Sequence, residues 1–180
     1  MHNANVGNGR GPGQSRLEEY MSTTEEITQD QIVEIMRDER FVMLSTTTAD
    51  GKIVSHPMTP QEVTDDANVW FLLGLQGDQA DAIRVNQHVN LAFAETGSWL
   101  SVSGVAEFVE DRAKIAEFWD GQLEDYFTGP DDPNLGLLKF VGQSAQYWGV
   151  PGGGVVAALK IMASKVTGSE PPGKMATTDL

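Results

Sequence analysis

Cysteine is absent from this 180-residue chain. Its absence excludes disulfides, thiolate metal sites and cysteine nucleophiles together, and it fits a reducing compartment, so the expected location is cytoplasmic. Positive charge is scarce: 12 Lys and Arg stand against 26 Asp and Glu, for a formal net charge of −14. A surface so acidic releases no phosphate counterions, and neither nucleic acid nor an anionic membrane is expected as a partner. No apolar run approaches the roughly 20 residues that span a bilayer. The opening stretch MHNANVGNGRGPGQSRLEEY has no apolar centre of the kind a signal peptide needs. Histidine occurs only at His2, His56 and His88, too scattered for a metal-ligand pair by spacing, so no metal is expected. Also missing are a P-loop, a dinucleotide fingerprint and a nucleophile elbow.

What is present is an ordinary globular composition, 40% hydrophobic, in a length that suits one domain with a real core. The reading divides the chain into a flexible Gly/Asn/Pro tail over 1–24, a domain over 25–166 and a polar, flexible tail over 167–180, with Met21 as an alternative start. Thr28 with Gln31 reads as a capping box, Ile27 with Ile32 as a hydrophobic staple, and Ile32, Ile35 and Met36 as the inner face of a first helix. Strands are expected over Phe41–Thr48, Lys52–Met58, Asn68–Leu73, Val89–Glu95 and Trp99–Val109. Asp50-Gly51 marks a hairpin between the first two, Thr96-Gly97-Ser98 a turn between the last two, and Pro57 and Pro60 limit the second. A helix is expected over Gly77–Gln87, with Ala80, Ile83 and Val85 inward, and another after the N-cap Asp111, with Ile115, Phe118 and Trp119 as its apolar stripe. Thr128–Asn134 reads as a connector. Leu137–Val141 and Ala145–Trp148 read as one last strand with a break near Gly142, before a short helix over Val155–Val166. Short strands with helices inserted between them imply an α+β, mainly β, barrel and not a parallel sheet.

Most eye-catching residues have plain readings. The PGGG at Pro151 reads as a hinge before the last helix, and His88 as the end of the helix before it. The acidic pairs Asp65-Asp66, Glu124-Asp125 and Asp131-Asp132 read as solvated surface. Among Trp70, Trp99, Trp119 and Trp148, packing is the common fate, with one ring free to stack on a planar ligand. His56 stands out. It shares a strand face with Val54 and Met58, a position suited either to a barrel rim or to a site.

In order and spacing, FVMLSTTTADGKIVSHPM, NVWFLL, NQHVNLAFAETGSWLSVSGVAEFVEDRAKIAEFW, GPDDPNLGLLKF and SAQYWG resemble the pyridoxamine 5′-phosphate oxidase-like FMN-binding split barrels, in the branch called general stress proteins. That resemblance covers roughly 27–166 and implies a split β-barrel, usually a homodimer with FMN between subunits. It implies a flavin site framed by Thr46, Thr47, Ser55, His56, Pro57, Met58, Phe71, Leu72, Leu73, Gln76, Gly77 and Gln79, with Trp99 or Trp148 approaching from the partner subunit. It also implies flavin-dependent oxidoreductase chemistry, with no acid–base catalyst evident. Two departures stand in the pattern. Where the family has Ser-Arg-Pro-Met, this chain has Ser55-His56-Pro57-Met58. Where the family has Ser-x-Lys, it has Gly77-Asp78-Gln79. Both cations that would meet the FMN phosphate are therefore missing, at a cost of roughly 1.5–3 kcal/mol for each hydrogen bond to a charged group. The backbone at Gly77, the Gln79 amide, Arg84, Lys52 and a protonated His56 are the groups left to compensate. FAD or deazaflavin F420 on the same barrel, or a barrel that has lost FMN and serves as a stress-related binding protein, are the alternatives.

Overall fold

The structure, a computed structural model, describes residues 27–95, 98–149 and 174–180. The expected N-terminal tail, most of the Thr96-Gly97-Ser98 turn, the PGGG hinge and the helix over 155–166 lie outside the described residues. Eight strands form one antiparallel sheet in the order β2-β1-β5-β6-β7-β4-β3, with β8 added to β7. The hydrogen-bonded ladder ends at β2 on one side and at β3 on the other, so the sheet curls around its core without closing. The α+β split-barrel expectation holds.

Helix α1 (Gln29–Asp38) starts where the capping box requires: Thr28 Oγ1 accepts from the Gln31 backbone at 3.3 Å, and Gln31 Oε1 accepts from the Thr28 backbone at 3.0 Å. Ile27 and Ile32 bury together in the main core with Val33 and Met36, so the staple fixes how the chain enters the helix. Strands β1 (Val42–Thr47) and β2 (Ile53–Met58) pair in register from Val42 opposite Met58 to Thr47 opposite Ile53. Their connection ends on Gly51 at φ +83°. A Cβ there would meet nothing within 4 Å, so glycine is needed for the dihedral and not for space.

The two-residue strand β3 (Glu62–Val63) falls in the acidic connection, where the sequence gives no strand signal; it borders β4 (Val69–Gly74). Strand β4 is covered on both faces. Val69, Phe71 and Leu73 enter the main core, while Leu72 enters a second cluster with Ile115, Leu135 and Leu137. Helix α2 (Asp78–Val85) follows, then β5 (His88–Glu95), β6 (Ser98–Val109) and helix α3 (Arg112–Phe118), which Asp111 caps through the Lys114 backbone at 2.9 Å. His88 therefore opens a strand and does not end the helix, which stops at Val85.

Strand β7 (Leu135–Gly149) runs unbroken through Gly142. What the sequence suggested as a break is a register shift: Gly104 faces Gly142 but Ser103 faces Ser144, leaving Gln143 as the extra residue. Gly104 is there for close approach, since a Cβ would lie 2.1 Å from the Val141 carbonyl. Before the shift β7 borders β4; after it, β7 borders β8 (Lys174–Asp179). Residues 174–179 thus form a paired strand, a correction to the structureless tail expected after residue 166. Their polar sequence is ordered by the edge that the second half of β7 offers.

Candidate functional site

Alternation along β1 and β2 sorts their side chains onto two faces. Val42, Leu44 and Thr46 point inward, opposite Met58, His56 and Val54 of β2. Met43, Ser45 and Thr47 point outward, opposite Pro57, Ser55 and Ile53. Each face carries a different feature.

On the inner face, a cavity of about 410 Å³ opens between the β1–β2 hairpin and α2. Thr46, Val54 and His56 line it from the strands, Thr48, Ala49 and Asp50 from the turn, and Asp78, Asp81, Ala82 and Val85 from the helix. The helical four stand at i, i+3, i+4 and i+7, one stripe of α2. Val85, expected inward, is 64% exposed and borders this opening. The other stripe of α2, with Ala80 and Ile83, packs into the protein.

Two polar features set the cavity's chemistry. His56 lies on its wall, and the buried His56 Nδ1 has no hydrogen-bond partner, a buried nitrogen that costs free energy until something satisfies it. Among the described residues, the carboxylates Asp50, Asp78 and Asp81 line the cavity, with no Lys or Arg. Lys52 sits 2.6 Å from Asp50 Oδ2, and with the Thr48 hydroxyl it holds the Asp50 carboxyl below the usual aspartate range. Arg84 lies 2.8 Å from Asp81, donates to the Leu75 carbonyl at 2.7 Å and stacks over Phe108. Gln79 donates its amide to Met58 Sδ at 3.3 Å. Lys52, Arg84 and Gln79, three of the side chains the sequence offered as substitute phosphate partners, each already have a partner in the protein.

The residues of the expected site are spread over five places. Thr46 and His56 meet on the cavity wall. Met58, buried, and Gln79 lie beside each other next to it. Phe71, Leu72 and Leu73 are buried in the two hydrophobic clusters or at their edge. Gln76 and Gly77 form the entry to α2: the Gln76 backbone donates to Asn134 Oδ1 at 2.9 Å, and Gly77 takes φ +126° with no neighbour that a Cβ would strike. Thr47, Ser55, Pro57, Trp99 and Trp148 belong to the outer face. Asp50, Asp78 and Asp81 were missed as lining residues; the signal for the last two was the 78-81-82-85 spacing.

The outer face spans β2, β1, β5, β6 and the second half of β7. Trp99 and Trp148 are direct cross-strand partners on it, 53% and 37% exposed, and Met43 and Ile53 are exposed on the opposite side. Between them lie small polar residues that satisfy one another. Ser45 Oγ and Ser55 Oγ are 2.8 Å apart, and Asn90 Nδ2 donates to Ser101 Oγ at 2.8 Å and to Ser103 Oγ at 3.3 Å.

These residues fit a flavin in part. The ring needs an apolar slot with few polar contacts, and Val54, Ala49, Ala82 and Val85 offer one of suitable size. A phosphate finds no cation in the lining. Among the described residues, no helix is long and apolar enough to cross a membrane.

Known proteins bear on this geometry. The chain is 26% identical to a protein of Jannaschia sp. CCS1 that carries the general stress protein 26 name; the match covers 83% of this chain and 96% of that one, with a TM-score of 0.67. It is also 26% identical to the general stress FMN/FAD binding protein of Xanthomonas citri, over 67% of this chain and 87% of that one, with a TM-score of 0.57. Protein bli-3 of Neurospora crassa is 26% identical over 125 residues, 62% of this chain, and the match spans only 60% of that relative's length. The family model described as pyridoxamine 5′-phosphate oxidase like matches residues 28–172, and the chain belongs to that family.

Proposed function

We propose that this protein binds a flavin in the cavity between the β1–β2 hairpin and α2, and that it works as a homodimer in the cytoplasm. The observation that carries the reading is the cavity itself. It gathers Thr46, His56 and the first turn of α2 around a slot of about 410 Å³, in a family that includes a protein named for FMN/FAD binding. A bound flavin would supply electron or hydride transfer, while the protein supplies orientation and hydrogen bonds. Thr46 and His56 are the wall groups able to bond a polar ring edge. Val54 and Val85 shield the ring from water. No side chain in the lining is arranged as an acid–base pair with a substrate, so the proposal is an oxidoreductase without a named substrate.

The dimer reading rests on the outer face. A flat field of serines and Asn90 with its hydrogen bonds already made can be covered without stranding polar groups, and the exposed Trp99, Trp148, Met43 and Ile53 around it supply apolar area. In a two-fold dimer this face would meet its own copy.

One observation favours a second reading, a barrel that has lost its flavin and serves as a stress-related binding protein: the acidic lining. The test is a titration of the purified full chain with riboflavin, FMN, FAD and deazaflavin F420, followed by ligand fluorescence, together with sedimentation for the oligomeric state. Saturable binding of any flavin, with competition by a second, supports the first reading. A protein that purifies colourless and leaves every ligand's fluorescence unchanged overturns it in favour of the second.

A further inference from the structure

We infer that the cavity selects a flavin whose tail carries no phosphate, riboflavin itself or a similar uncharged-tail flavin, and discriminates against FMN and FAD. The inference rests on the flavin reading above and concerns which member of that ligand class the site takes.

Charge sets the preference. A phosphate monoester at neutral pH carries about −1.5 to −2 charges, and proteins that hold one tightly surround it with Arg, Lys or unoccupied backbone N–H groups. Among the described residues, the lining has three carboxylates and no Lys or Arg. The cations next to these carboxylates are committed, Lys52 to Asp50 at 2.6 Å and Arg84 to Asp81 at 2.8 Å. Turning either toward a phosphate would strip its carboxylate and leave that charge facing the ligand. Asp78 forms no ion pair among the described residues, so the lining keeps an uncompensated negative charge. The last recourse is the start of α2, where a helix normally attracts an anion. Asp78 and Asp81 stand in its first turn and already answer that dipole. Whichever end of the flavin enters, a terminal phosphate meets no Lys or Arg among the described lining residues, whereas the hydroxyls of an uncharged ribityl chain can donate to Asp50, Asp78 or Asp81. Acceptors on the wall suit a polyol and repel a phosphate.

The test uses the full chain and measures dissociation constants for riboflavin, FMN and FAD by fluorescence at low and at high salt. The expected result is riboflavin tighter than FMN by about tenfold at low ionic strength, as one or two unscreened like charges near the tail would give. The gap should narrow when salt shortens the Debye length. Asp78→Asn should raise the FMN-to-riboflavin affinity ratio by about three- to fivefold. Asp81→Asn, which also frees Arg84, should raise it further, and far-ultraviolet circular dichroism would confirm that each variant is folded. FMN or FAD binding as tightly as riboflavin, or a ratio indifferent to both salt and Asp78→Asn, would overturn the inference while leaving the flavin reading in place. Binding of no flavin at all would remove both.

Discussion

The two faces of the β1–β2 hairpin, only one sheet apart, are built to opposite rules. On the outer face serines and Asn90 bond to one another: Ser45 with Ser55, and Asn90 with Ser101 and Ser103. On the inner face the His56 Nδ1 is left without a partner, and three carboxylates border open space. Polar groups that satisfy each other can be covered by any flat, dry surface, because covering them strands nothing. Carboxylates that border open space can still accept hydrogen bonds from a ligand's hydroxyls. The difference separates a surface suited to a second copy of the chain from a site suited to a small molecule, and the strands that make both are the same.

The comparison can be broken most severely at the layer both faces rest on. Leu44 is fully buried between Val42 and Thr46, and Leu44→Ala should cost about 2–5 kcal/mol in urea unfolding and weaken self-association and flavin binding together. A smaller change should separate the faces. Ser101→Arg puts like charges against each other across a two-fold axis, and it should weaken dimerisation on the order of a hundredfold, read by sedimentation equilibrium. If the faces are independent, the stability of the separated subunit is little affected; a protein that stays dimeric would remove the outer face as the interface. Trp99→Ala should act in the same direction and less, about tenfold, as loss of one apolar anchor at an interface.

How far this was legible in the sequence depended on the range of the forces involved. Thr28 with Gln31, Asp50-Gly51 and Asp111 act on atoms within a few residues, and the α1 start, the hairpin turn and the α3 cap all stand where those residues placed them. Residues 174–179 have no such local signal and become a strand only because β7 leaves an edge beyond its register shift. Glu62–Val63 is the same case in two residues. The cavity was half legible. Thr46 and His56 were marked by the resemblance, but the family pattern locates a segment and not the direction of each side chain. It therefore named Phe71, Leu72 and Leu73, which β4 buries, alongside residues that line the opening. Asp78 and Asp81 looked like ordinary helix surface until the hairpin came to lie across from them.

The subtlest difference between the faces is in acid. Asp50 sits on the cavity side of the hairpin, where Lys52 foremost, and then the Thr48 hydroxyl, hold its carboxyl below the ordinary aspartate value near 3.8. A carboxyl whose value is depressed on folding stabilises the folded state fully above its unfolded value, and it gives up that contribution as pH falls through the lower, folded one. The hairpin turn should therefore loosen only in that acid window, and modestly, since both partners are exposed and the pair is screened by solvent. A carbon-detected NMR titration of the Asp50 carboxyl should show a midpoint below 3.8, and Lys52→Gln should move it back up. The serines and Asn90 of the outer face have nothing to titrate there. If the Asp50 midpoint does not respond to Lys52→Gln, the ion pair does not persist in solution, and Lys52 would be free to meet an anionic ligand in the cavity.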